Sequence, residues 1–240
     1  MCKAVRIGFA RLPIGCVSLP LMPTLLTFSV GLNLLLMAVG VYYFARRPRA
    51  SDTQSPTSPF YTSRADAFAA LPVHEGAIIF AGDSLTEFAR WDELLGREDV
   101  LNRGAAGDTV NRLASRVGEF GRHNPRVIFF MAGINDLWPY RATPEQVAGD
   151  YRRMLVAAKA SAPQARIVVQ GVLPTGVAGD LNARIAKTNQ LLRDLSSEMG
   201  CDYLEVMGDL PPEFSSDGVH LNGRGYAVWA EVLSRYLGSP

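Results

Sequence analysis

Beyond residue 60, short apolar runs typical of strands alternate with longer stretches of helical periodicity. Such alternation predicts parallel βαβ units with right-handed crossovers and helices on both faces of one sheet. Strands are expected over residues 77–81, 99–102, 126–132, 166–171 and 202–205. Helices are expected over residues 86–96, 109–121, 143–161, 180–199 and 222–238. The predicted fold class is therefore α/β, a three-layer α/β/α sandwich around a five-stranded parallel sheet.

Ser84 follows the first predicted strand, within the segment Ala81-Gly82-Asp83-Ser84-Leu85. A helical pattern begins directly after it, so Ser84 is expected at a helix N-terminus. Backbone N–H groups have no intrahelical acceptor there and can stabilise a developing negative charge. The structural alternative is that Ser84 only caps the helix, which serine does in many proteins.

Gly107 and Asn135 follow the next two predicted strands along the chain. Gly107 has no side chain to block its N–H, and Asn135 carries a neutral amide donor of the kind that faces an oxyanion. Open α/β sheets bind their ligands at the carboxyl ends of the strands, where both residues are expected. A loop glycine and a turn-forming asparagine are the structural alternatives.

Asp217 precedes His220 by three positions, just before the last predicted helix. One helix-like turn of the backbone would let the carboxylate fix the imidazole tautomer and leave the other ring nitrogen as a base. The remaining histidines, His74 and His123, stand in proline-flanked loop contexts without a carboxylate pattern. His220 is therefore the candidate general base.

Taken together and in this order, the motifs resemble those of the SGNH (GDSL) hydrolase superfamily. The matching blocks are Gly82-Asp83-Ser84-Leu85, the Gly107 loop, Gly133-Ile134-Asn135-Asp136 and Asp217-Gly218-Val219-His220. The resemblance covers about residues 70–238, and around Ser84 and Gly107 it is similar to small bacterial esterases and platelet-activating-factor acetylhydrolase subunits. It implies a flavodoxin-like strand order, 2-1-3-4-5.

The resemblance also implies the roles of the site residues. Ser84 is the nucleophile, His220 the general base and then acid, and Asp217 the residue that orients the imidazole. The oxyanion hole consists of the backbone N–H groups of Ser84 and Gly107 and the amide of Asn135. The implied substrate is a small acyl or acetyl ester. No cofactor is predicted, and no metal, because the chain has few cysteines and no histidine pair at ligand spacing.

Other functions use the same residue types. An O-acyltransferase or deacetylase acting on an envelope glycan, or an acyl thioesterase, would share the triad, and assays with and without a carbohydrate acceptor separate transfer from hydrolysis. A non-catalytic module that binds an acylated ligand would not react with a fluorophosphonate. Topology alone also admits a flavodoxin-type flavin or nucleotide binder, whose flavin form would be coloured.

An uncharged stretch from Leu12 to Ala45 precedes the α/β pattern. A helix from Thr24 to Phe44 would span about 31 Å, close to the roughly 30 Å hydrocarbon core of a bilayer. This pattern predicts one single-pass transmembrane helix; a cleaved signal peptide is disfavoured because no small-x-small site follows the run. The predicted organisation is an N-terminal segment over 1–23, the membrane helix over 24–45, a Pro/Ser/Thr-rich linker over 46–62 and the hydrolase domain over 63–240.

The charged residues that flank the predicted helix indicate which side of the membrane the catalytic domain faces. Arg46, Arg47 and Arg49 lie close to the predicted helix and slightly favour a cytoplasmic domain, whereas the Ser/Thr/Pro-rich spacer is familiar in extracytoplasmic stalks. The net charge of +1 argues against nucleic-acid binding. The expected partners are thus the ester substrate and the membrane, with homo-oligomer formation left open.

Overall fold

The computed structural model describes residues 59–238, together with isolated helical positions at 29, 32, 33, 36 and 37. In this part of the chain, no helix is both long and apolar enough to cross a membrane. Apart from those isolated positions, the membrane helix predicted over residues 24–45 lies outside the described residues.

A single five-stranded sheet organises this domain. Its strands are β1 (Ile78–Gly82), β2 (Val100–Gly104), β3 (Val127–Met131), β4 (Arg166–Gln170) and β5 (Asp202–Leu204). They pair in the order β2-β1-β3-β4-β5, and every pair is parallel. The α/β class, the five strands and the predicted strand order are confirmed.

The helices follow the strands in alternation. They are α1 (Pro59–Ala70), α2 (Ser84–Glu87), α3 (Trp91–Leu95), α4 (Val110–Arg116), α5 (Ile134–Leu137), α6 (Pro144–Ser161), α7 (Leu181–Glu198) and α8 (Gly223–Leu237), with 3-10 turns at Val117–His123 and Pro212–Phe214. The three long helices α6, α7 and α8 lie within one residue of their predicted bounds. Residues at the helix ends explain why these bounds were predicted well. Thr143, for example, caps the start of α6 and forms a reciprocal capping box with Gln146.

The single helix predicted over residues 86–96 is wrong. Helix α2 ends at Glu87, and α3 begins at Trp91 after an irregular turn. The amide of Asn102 on β2 lies within hydrogen-bond distance of three carbonyl oxygens in this turn, those of Thr86 (3.0 Å), Glu87 (3.1 Å) and Ala89 (3.0 Å). Because a side chain from the neighbouring strand satisfies these carbonyls, the chain does not need to continue as a helix. The helix predicted over 109–121 likewise changes to a 3-10 turn after Arg116.

Helix α1 was not predicted, and it begins inside the spacer expected over residues 46–62. Of its side chains from residue 61 onward, only Phe68 is buried. A single buried residue leaves no apolar stripe at helical spacing, which is the signal that sequence patterns provide. The helix is held by tertiary contacts instead: the Phe68 ring centroid lies 5.1 Å from the guanidinium of Arg103 and 5.5 Å from that of Arg116.

An aromatic stack fixes α3 and α8 on one face of the sheet. Phe80 on β1 stacks on Phe129 of β3 at 4.7 Å and on Trp91 of α3 at 4.6 Å. Trp91 in turn meets Trp229 of α8 edge to face at 4.8 Å. The Trp229 indole is buried and donates to Gln170 at 2.8 Å, so its polar atom is satisfied. The helix that follows His220 is thereby tied to the strand that precedes Ser84.

The 3-10 turn Val117–His123 offers a matched test of packing. A Cβ at Gly121 would lie 2.1 Å from the carbonyl oxygen of Ser161, whereas one at Gly118 would meet nothing within 4 Å. We expect Gly121→Ala to lower the free energy of unfolding by about 1–3 kcal/mol, as overpacked sites do. Gly118→Ala should change it by no more than about 1 kcal/mol. Urea denaturation measures both, and equal effects of the two substitutions would contradict the close contact.

Candidate active site

The predicted site residues follow the carboxyl ends of β1, β2 and β3 or lie in the loop before α8. Ser84 is the first residue of α2, but the helix cap is Asp83, whose carboxylate accepts the Leu85 N–H at 3.0 Å. The structural alternative for Ser84, a capping role, is therefore wrong. The Ser84 hydroxyl instead contacts His220.

His220 lies between a hydroxyl and a carboxylate. Its Nε2 is 3.0 Å from Ser84 Oγ, and its Nδ1 is 2.7 Å from Asp217 Oδ2. An ionised carboxylate can only accept, so Nδ1 carries the proton and Nε2 is left to accept from the serine hydroxyl. This arrangement can remove a proton from Ser84 when the oxygen attacks an electrophile.

Asp217 is held as an anion. The hydrogen bond from His220, followed by those from the backbone N–H groups of Val219 (2.9 Å) and His220 (2.7 Å), keeps the pKa of Asp217 well below its ordinary value. Ser215 stabilises the same turn, since its Oγ accepts the Gly218 N–H at 2.9 Å and donates to the His220 carbonyl at 2.7 Å. The carboxylate is thus charged and fixed against the imidazole at neutral pH.

Gly107 lies in a tight turn that covers residues 105–108. Asp108 N–H donates to the Ala105 carbonyl at 3.0 Å, and Ala105 N–H donates to the Gly82 carbonyl at the end of β1, at 2.9 Å. Gly107 has a φ of +81°, the left-handed region that glycine adopts without strain. These features agree with a type II turn, in which this position favours glycine.

Most backbone polar groups of this turn have a partner. Three side chains contribute: Glu87 accepts the Ala106 N–H at 2.5 Å, Arg112 donates to the Gly107 carbonyl at 3.2 Å, and Asn135 donates to the Asp108 carbonyl at 2.9 Å. Within residues 59–238, however, no acceptor lies on the N–H of Gly107 or on that of Ser84. Asn135 also retains a second amide hydrogen. The loops therefore offer donors at the positions predicted for an oxyanion hole.

Each of the first three motifs also contributes a buried carboxyl that was not among the predicted site residues. Asp108 pairs with Arg116 at 2.6 Å, and both oxygens of Asp136 accept the Val110 N–H, at 3.3 and 3.2 Å. Burial raises the pKa of Asp83 to about 7 and that of Asp136 to about 6. The signal in the sequence was an aspartate beside the key residue of each motif.

Phe88 also lies at the site and was not identified from the sequence motifs. It follows α2, its ring centroid lies 5.5 Å from that of His220, and the side chain is 56% exposed. An exposed aromatic ring beside the imidazole presents an apolar surface to whatever approaches Nε2.

The other two histidines, His74 and His123, contact each other. His123 is buried in the 3-10 turn, where its Nδ1 accepts the His74 N–H at 3.1 Å and its Nε2 lies 3.8 Å from Glu119. The expectation that His123 lacks a carboxylate neighbour is therefore wrong. Burial lowers the pKa of His123 to about 4, so the ring is neutral. Among the described residues, no group of three or more His, Cys, Asp or Glu side chains could hold a metal ion.

The raised pKa of Asp83 gives stability a specific pH dependence. The folded-state pKa is about 7 against an ordinary 3.8, so the stability contributed by the protonated carboxyl is present below pH 3.8 and is lost as the pH rises to about 7. Asp83→Asn keeps an acceptor for the Leu85 N–H and does not ionise. We expect it to become more stable than the wild type as the pH rises from 4 to 7, by up to about 4 kcal/mol.

Urea denaturation at pH 4, 5.5 and 7 measures this difference. Asp92→Asn is the control, because Asp92 is exposed on α3. A stability difference between Asp83→Asn and the wild type that stays constant over this range would contradict the burial of an uncharged carboxyl.

Comparison with known proteins agrees with this geometry. The sequence profile of the GDSL-like Lipase/Acylhydrolase family matches residues 80–228. The human platelet-activating factor acetylhydrolase IB subunit alpha2 is 32% identical over 181 residues, which cover 68% of this chain and 76% of the relative.

Solved structures show the same fold. A GDSL-like lipase from Bacteroides thetaiotaomicron superposes with a TM-score of 0.63 at 21% identity, over 74% of this chain and 96% of that one. A carbohydrate esterase family 3 protein from Talaromyces cellulolyticus superposes with a TM-score of 0.57 at 19% identity, over 67% and 96%. The resemblance inferred from the four motifs is thus confirmed: the chain belongs to the GDSL-like lipase/acylhydrolase family of the SGNH hydrolase superfamily and is a carboxylic ester hydrolase.

Proposed function

We propose that this enzyme is a membrane-anchored serine esterase that hydrolyses a small acyl or acetyl ester through a covalent intermediate on Ser84. The observation that carries the proposal is the position of His220, whose two ring nitrogens lie 3.0 Å from Ser84 Oγ and 2.7 Å from Asp217 Oδ2. A hydroxyl is a weak nucleophile at neutral pH unless an adjacent base accepts its proton.

The reaction has two similar halves. Ser84 Oγ attacks the ester carbonyl carbon while its proton passes to His220 Nε2, and the tetrahedral intermediate collapses when the same proton is given to the departing alcohol. Water then attacks the acyl-serine, again losing a proton to His220. Collapse of the second intermediate returns the proton to Ser84 and releases the carboxylic acid.

Three donors are proposed to stabilise the oxyanion in both intermediates. They are the backbone N–H groups of Ser84 and Gly107 and the side-chain amide of Asn135. The absence of acceptors on the two N–H groups in the described domain supports this role, as does the hydrogen bond from Asn135 to the turn that contains Gly107.

The proposed acyl group is short. The curated relatives are named as acetylhydrolases of platelet-activating factor, and one structural neighbour is named as a carbohydrate esterase. Both names describe those proteins and support a small acyl or acetyl group here. The alcohol could come from a lipid or a glycan, and thioesters remain an alternative substrate class.

Water is the proposed acyl acceptor. The side chains of His220 and Asp217 are 39% and 54% exposed, so water reaches the base directly. Such openness supports hydrolysis over transfer of the acyl group to a sugar hydroxyl, which would benefit from exclusion of water. The contact between His220 and Ser84, with membership of a hydrolase family, also favours an enzyme over a non-catalytic binding module.

The membrane anchor is proposed from the sequence. The uncharged stretch that contains residues 24–45 is long enough to span a bilayer, and Arg46, Arg47 and Arg49 follow it directly. These arginines favour the cytoplasmic face for the catalytic domain. An anchored esterase would act on esters at or near the membrane surface.

Substitutions of Ser84 and Asn135 distinguish the role of the nucleophile from that of an oxyanion donor. Ser84→Ala should abolish both ester hydrolysis and labelling by a fluorophosphonate. Asn135→Ala should lower kcat by about a hundredfold or more while the protein stays folded, because one donor to the oxyanion is lost. The measurement is steady-state hydrolysis of p-nitrophenyl acetate, with circular dichroism to verify folding.

Asn111→Ala is the control for the amide, since Asn111 is exposed on α4. Full activity of Asn135→Ala would remove Asn135 from the mechanism, and retained labelling of Ser84→Ala would remove Ser84.

Phe88 is expected to contact the leaving group. His220 must donate its proton to the departing oxygen, so the alcohol lies beside the imidazole and hence beside the exposed Phe88 ring. Phe88→Ala should raise KM for phenyl acetate by about three- to tenfold, since an aromatic contact is lost, and change KM for ethyl acetate much less. Steady-state kinetics on both esters provide the test; equal KM changes would place the alcohol elsewhere.

A further inference from the structure

We propose that Glu87 is a positioning residue that fixes the two backbone donors of the oxyanion hole relative to each other. The inference rests on the proposed function, since it assigns Glu87 a task in the same site. Glu87 is the last residue of α2, the short helix that begins with Ser84. Its carboxylate accepts the N–H of Ala106, the residue directly before Gly107, at 2.5 Å.

This hydrogen bond joins a helix and a turn that follow different strands. Ser84 follows β1, and Gly107 follows β2. The N–H groups of both residues must point at one oxygen atom to stabilise an oxyanion. The bond from Ala106 to Glu87 ties the turn containing Gly107 to the helix containing Ser84, so it sets the distance and angle between the two donors. A displacement of about 1 Å at such a site can cost a hundredfold in rate.

Arg64 holds the carboxylate of Glu87 from the other side. Its Nε lies 3.4 Å from Glu87 Oε1 and donates to the Gly104 carbonyl at 3.2 Å. Because Gly104 ends β2, Arg64 connects Glu87 to the strand from which the Gly107 turn departs. The two oxygens of Glu87 thus have separate tasks: Oε1 faces Arg64, and Oε2 accepts from the turn.

The arrangement is better suited to positioning than to stability. The side chains of Arg64 and Glu87 are 36% and 23% exposed, and partly exposed ion pairs of this kind contribute little to folding. The other N–H groups at the ends of the turn are held by backbone carbonyls, those of Ala105 by Gly82 and of Asp108 by Ala105. Ala106 N–H relies on a side chain, so a substitution at Glu87 releases one peptide of the turn and leaves the remainder in place.

The test compares Glu87→Ala, which removes the acceptor, with Glu87→Gln, which keeps an acceptor of the same length. Kinetics on p-nitrophenyl acetate give kcat and KM, and a trifluoromethyl ketone, whose serine adduct carries an oxyanion, gives an inhibition constant. We expect Glu87→Ala to lower kcat about 10- to 100-fold with KM changed less than about twofold. The inhibition constant should rise by a factor similar to the loss in kcat/KM, because both report the oxyanion.

Glu87→Gln should recover kcat to within about threefold of the wild type, because its side-chain carbonyl can accept the same N–H. Glu93→Ala is the matched control, since Glu93 on α3 pairs with Arg90 at the surface, and it should leave all three constants unchanged. Thermal unfolding of every variant establishes that it is folded.

Ser84→Ala in the same assay separates failure of this inference from failure of the proposed function. If Ser84→Ala is inactive while Glu87→Ala keeps full kcat, or loses kcat without weaker inhibition by the ketone, the role of Glu87 is overturned and the triad stands. Loss of kcat in Glu87→Gln equal to that in Glu87→Ala also overturns it. If Ser84→Ala stays active, the proposed function itself fails.

Discussion

The geometry of the site depends on two neighbouring strands that each end in a glycine. Gly82 and Gly104 are paired in register at the carboxyl ends of β1 and β2. A Cβ at Gly82 would lie 2.1 Å from the Met131 carbonyl oxygen, and one at Gly104 would lie 2.2 Å from the Glu87 backbone nitrogen. These glycines let α2 sit directly on the edge of the sheet, which places Ser84 within reach of both the turn at Gly107 and the imidazole of His220.

Three carboxyl groups are buried beneath this edge of the sheet, and burying ionisable groups costs free energy. Burial raises the pKa of Asp83, Asp108 and Asp136, and the charge of Asp108 raises those of Asp83 and Asp136 further, while Arg116 is paired with Asp108. Arg116 also donates to the Gly82 carbonyl at 3.2 Å, so the same guanidinium connects the carboxyls to the end of β1. Such groups contribute less to stability than apolar packing would, but they fix loops by hydrogen bonds that have a defined geometry. The segments that carry the proposed oxyanion donors are therefore held by hydrogen bonds of defined geometry.

Sequence patterns were sufficient where the structure is set by local signals. The start of α6 follows from the cap at Thr143, whereas the strand order and the approach of Ser84 to His220 were implied by the resemblance of the four motifs to a known family. The errors arise from contacts between residues far apart in sequence. Asn102 divides the helix predicted over 86–96, because its amide satisfies carbonyls from another element.

Contacts between distant residues also explain why the sequence did not predict the residues that support the site. Helix α1 is anchored by Phe68, whose ring centroid lies 5.1 Å from the guanidinium of Arg103 and 5.5 Å from that of Arg116. Neither this cluster nor the bond between Glu87 and Ala106 leaves a periodic pattern. The motifs thus revealed the residues that would react, whereas the residues that position them required the three-dimensional structure.

In the proposed mechanism an acyl group passes through Ser84, so trapping the acyl-enzyme is the decisive experiment. The enzyme would be mixed with p-nitrophenyl acetate, quenched in acid within milliseconds and digested for peptide mass spectrometry. The Ser84 mechanism predicts one acetyl group on the peptide that contains Ser84, formed in a burst that matches the first release of p-nitrophenol. Rapid turnover with no acetyl on that peptide, or with acetyl on another residue that forms at the rate of turnover, would contradict it.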